Sequence, residues 1–420
     1  MDNVTHTLAG LAVAHAALHL RATSSGRTAL PSPRPLQLAT LLTSALANNA
    51  PDLDFLYGGI TPGKLGYLLH HRGHTHTLLA AAPLGLFSLG SGVLLARLLG
   101  QRLSRAELWF LSGLALFGGV LHVALDFLNN YGVHPFWPLD NRWFYGDAVF
   151  IIEPWLMIAL AGSCLGGSTR NVARALLALI VAALLLLVWP QTRGASALVP
   201  LPLAWLLTLS ALGWLGWMRW AAPRWRRWSG GLALIAVLGV QLSTRQHARA
   251  QLTGALSSAP GFELASLVST PFPGNPLCWS MLAVGKQLDE YVVLQATVAA
   301  LPALLPVPAC SWPASRTTAP LEPPRALPSR PGTVVAWGRE FRAPLRRLRE
   351  VGQTDCVAKA FLRFARVPFW VARGERVQVL GDLRYDRSEE NEFAELELTS
   401  GAPCPRFEPP WRPPLPLLDG

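Results

Sequence analysis

Charge is what this 420-residue chain has least of. Only 15% of its residues are charged while 51% are hydrophobic, against about 25% charged in a typical soluble domain. That shortage excludes an ordinary soluble protein. Cysteine is also sparse, five in all, and no CxxC pair is present, which leaves no redox or zinc-ribbon signature. HExxH and GxSxG are absent too, so neither a zincin helix nor a serine-hydrolase elbow is expected. "GGITPGKL" fits GxxxxGK but has Leu65 where a Mg²⁺-binding hydroxyl belongs, and no strand leads into it. The opening "MDNVTHTLAG" lacks a basic stretch, so no cleavable signal peptide is expected.

What is abundant is apolar sequence. Runs near the length a helix needs to cross a bilayer, about 20 residues, fall at about 77–96, 108–128, 149–167, 172–189, 198–218 and 230–243. Two shorter ones lie at about 4–20 and 36–50. The expected fold class is therefore a polytopic α-helical membrane protein with about 6–8 membrane helices and a C-terminal α+β or mostly β extramembrane domain. Loop charge sets the expected orientation. Segments 21–35, 97–107, 168–175 and 219–228 carry twelve Arg, whereas 51–76, 129–148 and 190–197 carry four Lys and Arg. That asymmetry predicts a cell-membrane protein whose residues 51–76 and everything after 243 lie outside the cytoplasm. The net charge of +11 is explained by this distribution, and no nucleic-acid partner is expected. "WMRWAAPRWRRW", 217–228, reads as an interfacial anchor.

The expected domains are 1–155, a helical part carrying polar chemistry; 156–243, further transmembrane helices; and 244–420, outside the membrane, with a proline-rich linker at 302–331 and tail at 403–420. Alternating residues in "STPFPGNPLCWSMLAV", "DEYVVLQATV", "ERVQVLGDLRYD" and "NEFAELELTS" predict strands, and a helix is expected near 340–351. Cys278, Cys310, Cys356 and Cys404 fall in this part and allow three pairings, with unpaired thiols equally open.

The chemistry gathers at helix ends. His6 opens the first helix, "NNAPDLDF" contributes Asp52 and Asp54, and "HHRGHTH" contributes His70, His71, His74 and His76. "LHVALDFLNNYGVH" adds His122 and Asp126, one helical turn apart, with His134 farther on. Imidazole with carboxylate suits Zn²⁺, and also Mn or Fe. Ionisable residues beside a bilayer mark sites more often than they decorate it. Arg72 has the forked donor geometry to position an anionic group.

"DNVTHTLAG", "APDLDF", "HRGHTH", "LHVALDFLNNYG", "PFWPLDNRWFYGD" and "EPW" occur in that order over residues 1–155. In this the chain resembles the YdjM-type family of bacterial inner-membrane, metal-dependent hydrolases. The resemblance implies His6, Asp52, Asp54, His71, His76, His122 and Asp126 as metal ligands, with His74 auxiliary. A fainter likeness to the zinc-dependent phospholipase C and P1 nuclease group, on the His122–Asp126 pair, favours phosphoesters. The expected function is a membrane-bound hydrolase acting on a phosphoester or lipid-like substrate, with Asp54 as base and Arg72 as anion holder. Membrane lipids are the expected surroundings. The competing expectation is a non-catalytic, metal-stabilised membrane scaffold or regulator that binds a partner through its C-terminal domain.

Overall fold

The computed structural model describes the whole chain except residues 25–31, 59, 62, 166–199, 222, 258, 311–317, 326, 328–333, 374–375, 387–392, 400–401 and 419–420. It separates into two compact units. One comprises Met1–Leu53, Thr75–Leu128 and Phe150–Val240; the other comprises Asp54–His74, Asn129–Val149 and Gln241–Gly420.

The first unit is helical. Its elements are α1 (Asn3–Ser24), α2 (Arg34–Ala47), α5 (Ala81–Leu98), α6 (Arg105–Phe127), α7 (Pro154–Leu165) and α8 (Leu201–Trp220). The start of α9 (Pro223–Leu256) belongs to it as well. Close packing among α1, α2, α5 and α6 depends on small residues where the backbones meet. A Cβ on Gly10 would lie 2.6 Å from the Ser44 carbonyl oxygen, one on Gly118 2.6 Å from the Ala47 Cβ, and one on Gly92 would collide with Thr43. Ser104 starts α6 with a reciprocal capping box: its hydroxyl accepts from the Glu107 N–H while Glu107 accepts from the Ser104 N–H.

Among the described residues two helices are long and apolar enough to cross a membrane, Ala81–Leu98 and Arg105–Phe127. Only 28% and 44% of their apolar windows are buried in the protein, so much of each presents hydrocarbon outward, as Leu86, Phe87, Leu116 and Phe117 do. This corrects the expectation of 6–8 membrane helices. The run at 149–167 begins as a helix only at Pro154, and the described part of that helix, α7, reaches Leu165. The run at 36–50 gives a 14-residue helix. α1 has the length, 22 residues, but includes His6, His15, His19 and Arg21. In α8 the apolar part is Leu201–Trp217, and the run at 230–243 is the middle of α9, a 34-residue helix that turns polar beyond it. The run at 172–189 lies outside the described residues.

The second unit holds the sheets. β1 (Phe262–Phe272), β2 (Asn275–Gln287), β3 (Glu290–Ala299) and β4 (Val335–Pro344) form an antiparallel sheet in sequence order. β5 (Pro368–Arg373), β6 (Arg376–Asp382) and β7 (Glu395–Glu397) form a second one. The helix expected near 340–351 starts later, as α10 (Leu345–Thr354). Residues up to Pro344 pair with β3 instead, Phe341 opposite Val293 and Ala343 opposite Tyr291, because Phe341 is buried there in the core. A short α11 (Cys356–Leu362) follows, capped by the Asp355 carboxylate. Short helices α3 (Phe55–Gly58) and α4 (Gly63–His70) complete the unit. Tyr291, Phe341, Phe361, Phe364, Phe369 and Trp411 form much of its core.

The cysteines are paired Cys278–Cys310 and Cys356–Cys404, closing 32 and 48 residues. Loops of this size restrict the unfolded chain by about 3–4 kcal/mol each. Cys164 is free and buried.

Candidate metal centre

α6 carries His122 and Asp126 on one face, i and i+4, both fully buried. The other two members come from short 3₁₀ turns. Asp52 sits in Ala50–Asp54, where Pro51 follows the end of α2, and His76 ends His74–His76. One donor atom from each of Asp52, His76, His122 and Asp126 can be chosen so that all four lie within 4.8 Å of one another. His76 Nε2 is 3.0 Å from Asp126 Oδ2 and 3.4 Å from Asp52 Oδ1. His122 Nε2 is 3.3 Å from Asp126 Oδ2 and 3.6 Å from Asp52 Oδ1. The two Nε2 atoms face each other at 3.0 Å.

The tautomer of His122 follows from its other nitrogen. Nδ1 is 2.7 Å from the Asn48 carbonyl oxygen, and a carbonyl can only accept, so Nδ1 carries the proton. In the neutral ring Nε2 then presents its lone pair to the cluster. Asn3 donates to Asp52 Oδ2 at 3.1 Å. His6 stacks on His122 with ring centroids 3.8 Å apart, and its Nε2 is 3.2 Å from Asp126 Oδ1, the oxygen that also accepts from the Met1 amino group.

Burial pushes His6 down to about 3, the neighbouring His122 adding to the effect and Asp126 opposing it; the ring is neutral at ordinary pH. For Asp52, burial works to raise the carboxyl, but hydrogen bonds from His122 and His76 outweigh it and hold the group well below the carboxylate range. Asp52 is also the member that reaches solvent, with its side chain 17% exposed while the other three are at 0%. Two imidazoles, one with its tautomer fixed by a carbonyl, and two carboxylates at nearly common distances fit a divalent transition cation. Without one, two imidazole nitrogens 3.0 Å apart beside buried carboxylates require shared protons in a dry interior.

The structure thus brings together Asp52, His76, His122 and Asp126, with His6 against them. Asp54, His71 and Arg72 belong to the second unit. There Asp54 Oδ1 lies 3.1 Å from His71 Nδ1 while Oδ2 accepts the Arg72 backbone N–H at 2.9 Å. Arg72 has a left-handed backbone, φ 59°, held by that bond. Its guanidinium is buried, donates to Asn129 Oδ1 at 2.8 Å and covers the Tyr131 ring. His134 stacks on Trp411 with centroids 3.6 Å apart, and His74 packs edge-on to Trp137. Asn48 and Asn3 were not anticipated. Asn48 acts through its main chain, which any residue carries, whereas Asn3 stands three residues before His6 on the same helix face and was open to detection.

The motif order, the helix-borne HxxxD pair and the converging His76 and Asp52 all fall in the N-terminal half. Residues 1–194 match the YdjM inner membrane protein family. The four clustered residues all lie within the YdjM-matched segment, and the family's description as an inner membrane protein accords with the two span-length helices. No curated protein and no solved structure matches the chain.

Proposed function

We propose that the YdjM-family region is a membrane-bound, metal-dependent hydrolase acting on a phosphoester or lipid-like substrate. The observation that supports this best is the convergence of Asp52, His76, His122 and Asp126, with His122 locked by the Asn48 carbonyl. When bound there, a divalent cation such as Zn²⁺ supplies Lewis acidity towards a phosphoryl oxygen and acidifies water. His76, His122 and Asp126 would hold it, and the burial of these three side chains excludes bulk water there. Asp52, anionic and at the exposed edge, orients a water by accepting its hydrogen bond. Asn3 fixes the rotamer of Asp52 through its second oxygen.

The same reading places residues after 243 outside the cytoplasm. Two disulfides in that part support it, because such bonds persist in oxidising compartments. The test of function is a panel of phosphomonoesters, phosphodiesters and phospholipids offered to metal-loaded protein in liposomes. Turnover should appear with one substrate class and fall by on the order of 10²-fold or more in His122→Ala. A wild-type protein that holds metal yet turns over none of them, while residues 244–420 capture a partner, favours the scaffold instead.

A further inference from the structure

Towards its end, α9 packs an apolar face on the sheet: Ala248, Leu252 and Leu256 cluster with Met281 and Val292. Just before and beside them the helix turns polar. Gln241, Arg245 and Arg249 recur every fourth residue, which stacks their side chains along one side of the helix. Gln241 is 1% exposed, yet neither its Nε2 nor its Oε1 has a hydrogen-bond partner among the described residues, and the same holds for the buried Nε of Arg245. Native interiors seldom leave such groups unpaired. Arg249 bonds only through Nη1, to the Leu267 carbonyl at 3.0 Å and the Ser269 hydroxyl at 3.3 Å. Its side chain is 34% exposed, which opens the group to solvent.

The charge is equally unbalanced. Asp147 lies 4.0 Å from Arg249 Nη1 but is already held by Arg366, whose Nη1 and Nη2 donate to its two oxygens at 2.8 and 2.9 Å. No Asp or Glu occurs in the sequence between Glu153 and Glu263. Burial lowers the Arg249 guanidinium from its usual value, with Arg245 and Arg366 adding and Asp147 opposing. All of these residues belong to the second unit.

We propose that Gln241, Arg245 and Arg249 form a binding site for a phosphate group that carries a hydroxyl, either hydrogen phosphate or a phosphoglycerol head. The guanidiniums donate to the phosphate oxygens, whose geometry suits their fork. Gln241 Nε2 donates as well, while Oε1 can only accept and so calls for a donor on the ligand. An ionised carboxylate or a sulfate has none. The site depends neither on the metal centre nor on any hydrolysis there.

The test is isothermal titration of the full-length protein, chelator-treated and in phosphatidylcholine nanodiscs, with inorganic phosphate, glycerol 1-phosphate and sulfate. At pH 7 both phosphates should bind, and sulfate roughly tenfold more weakly, because it leaves Oε1 unpaired. Gln241→Leu should erase that preference. Arg245→Gln and Arg249→Gln should each weaken phosphate binding by about tenfold or more. Gln241→Glu keeps the shape and places a carboxylate one turn from Arg245, so it should bind no phosphate yet melt no lower than wild type. Adding phosphatidylglycerol to the nanodisc separates the two sources: loss of the phosphate heat assigns the site to the lipid head, and its persistence assigns it to the free anion. Wild-type protein that binds neither phosphate in phosphatidylcholine, or that binds phosphate and sulfate equally, would overturn the proposal. So would unchanged phosphate affinity in Gln241→Glu.

Discussion

The Asn48 carbonyl oxygen lies 2.7 Å from His122 Nδ1 and so decides which nitrogen of that imidazole faces the Asp52–His76–Asp126 group. Asn48 caps the end of α2, its own amide donating back to the Ser44 carbonyl. The orientation of a metal-ligand candidate on α6 is thereby tied to how closely α2 approaches it.

Gly118, one turn before His122 on α6, measures that approach. A Cβ there would stand 2.6 Å from the Ala47 Cβ and 3.0 Å from Asn48 Nδ2, so Gly118→Ala must push α2 away. Outer-sphere partners of this kind are typically worth 10–100-fold in metal affinity. Gly118→Ala should therefore lose about that much in a competition titration while its helical circular dichroism is unchanged. Gly113→Ala, with nothing within 4 Å, should keep full affinity and gain a little stability from the better helix former. Equal affinity in the two variants would break the proposed link between helix approach and the site.

The four clustered side chains also make a selective prediction. His76→Ala and Asp126→Ala should remove bound Zn²⁺ from purified protein, as measured by elemental analysis. His15→Ala and His19→Ala should not. Neither should His71→Ala, because His71 is engaged with Asp54 within the second unit and stacks on Tyr67. Loss of metal from His71→Ala would return it to the ligand set that the family resemblance implies.

The His122–Asp126 pair was legible because an i, i+4 spacing has one meaning on an α-helix, and Asp52 and His76 followed from motif order. Choosing Asp52 over Asp54, or His76 over His71, was not: each alternative lies within a few residues in a turn, where one step redirects a side chain. The alternation in "STPFPGNPLCWSMLAV" and "DEYVVLQATV" made β2, β3 and the last residues of β1 visible, whereas most of β1 was not anticipated. Membrane crossing was overread because a hydropathy window counts apolar residues without knowing where a helix starts. Pro154 begins α7 five residues inside the apolar run, and His15, His19 and Arg21 punctuate α1.

His70 offers a pH test in the second unit. Burial holds its imidazole below the usual value, the nearby His74 adding and Asp54 opposing, while Nε2 bonds to Thr61 at 2.9 Å. The unfolded chain protonates this ring near pH 6.5 and the folded one only at lower pH. Between those values the unfolded state binds more protons, so the stability from neutral His70 is complete above about pH 6.5 and is lost as pH falls towards the folded value. Thermal melts of metal-free protein should decline across that window, and His70→Gln should show a shallower decline. A parallel decline in the variant would assign the acid sensitivity elsewhere.

The disulfides test sidedness and chemistry together. Five cysteines divide into Cys278–Cys310, Cys356–Cys404 and the free, buried Cys164. Protein taken from a bacterial envelope, denatured without reductant and alkylated should therefore gain one label, and five after reduction. The two bonds form readily only if residues after 243 meet an oxidising compartment, so alkaline phosphatase fused at the C-terminal end should be active and a cytoplasmic reporter there silent. Cys356→Ser should cost about 2–5 kcal/mol in the second unit, because Cys356 opens α11 and Cys404 is the tether that holds the proline-rich tail to it. Five labels before reduction, together with an active cytoplasmic reporter, would place the sheets inside the cell and with them reverse the orientation read from the arginine-rich loops.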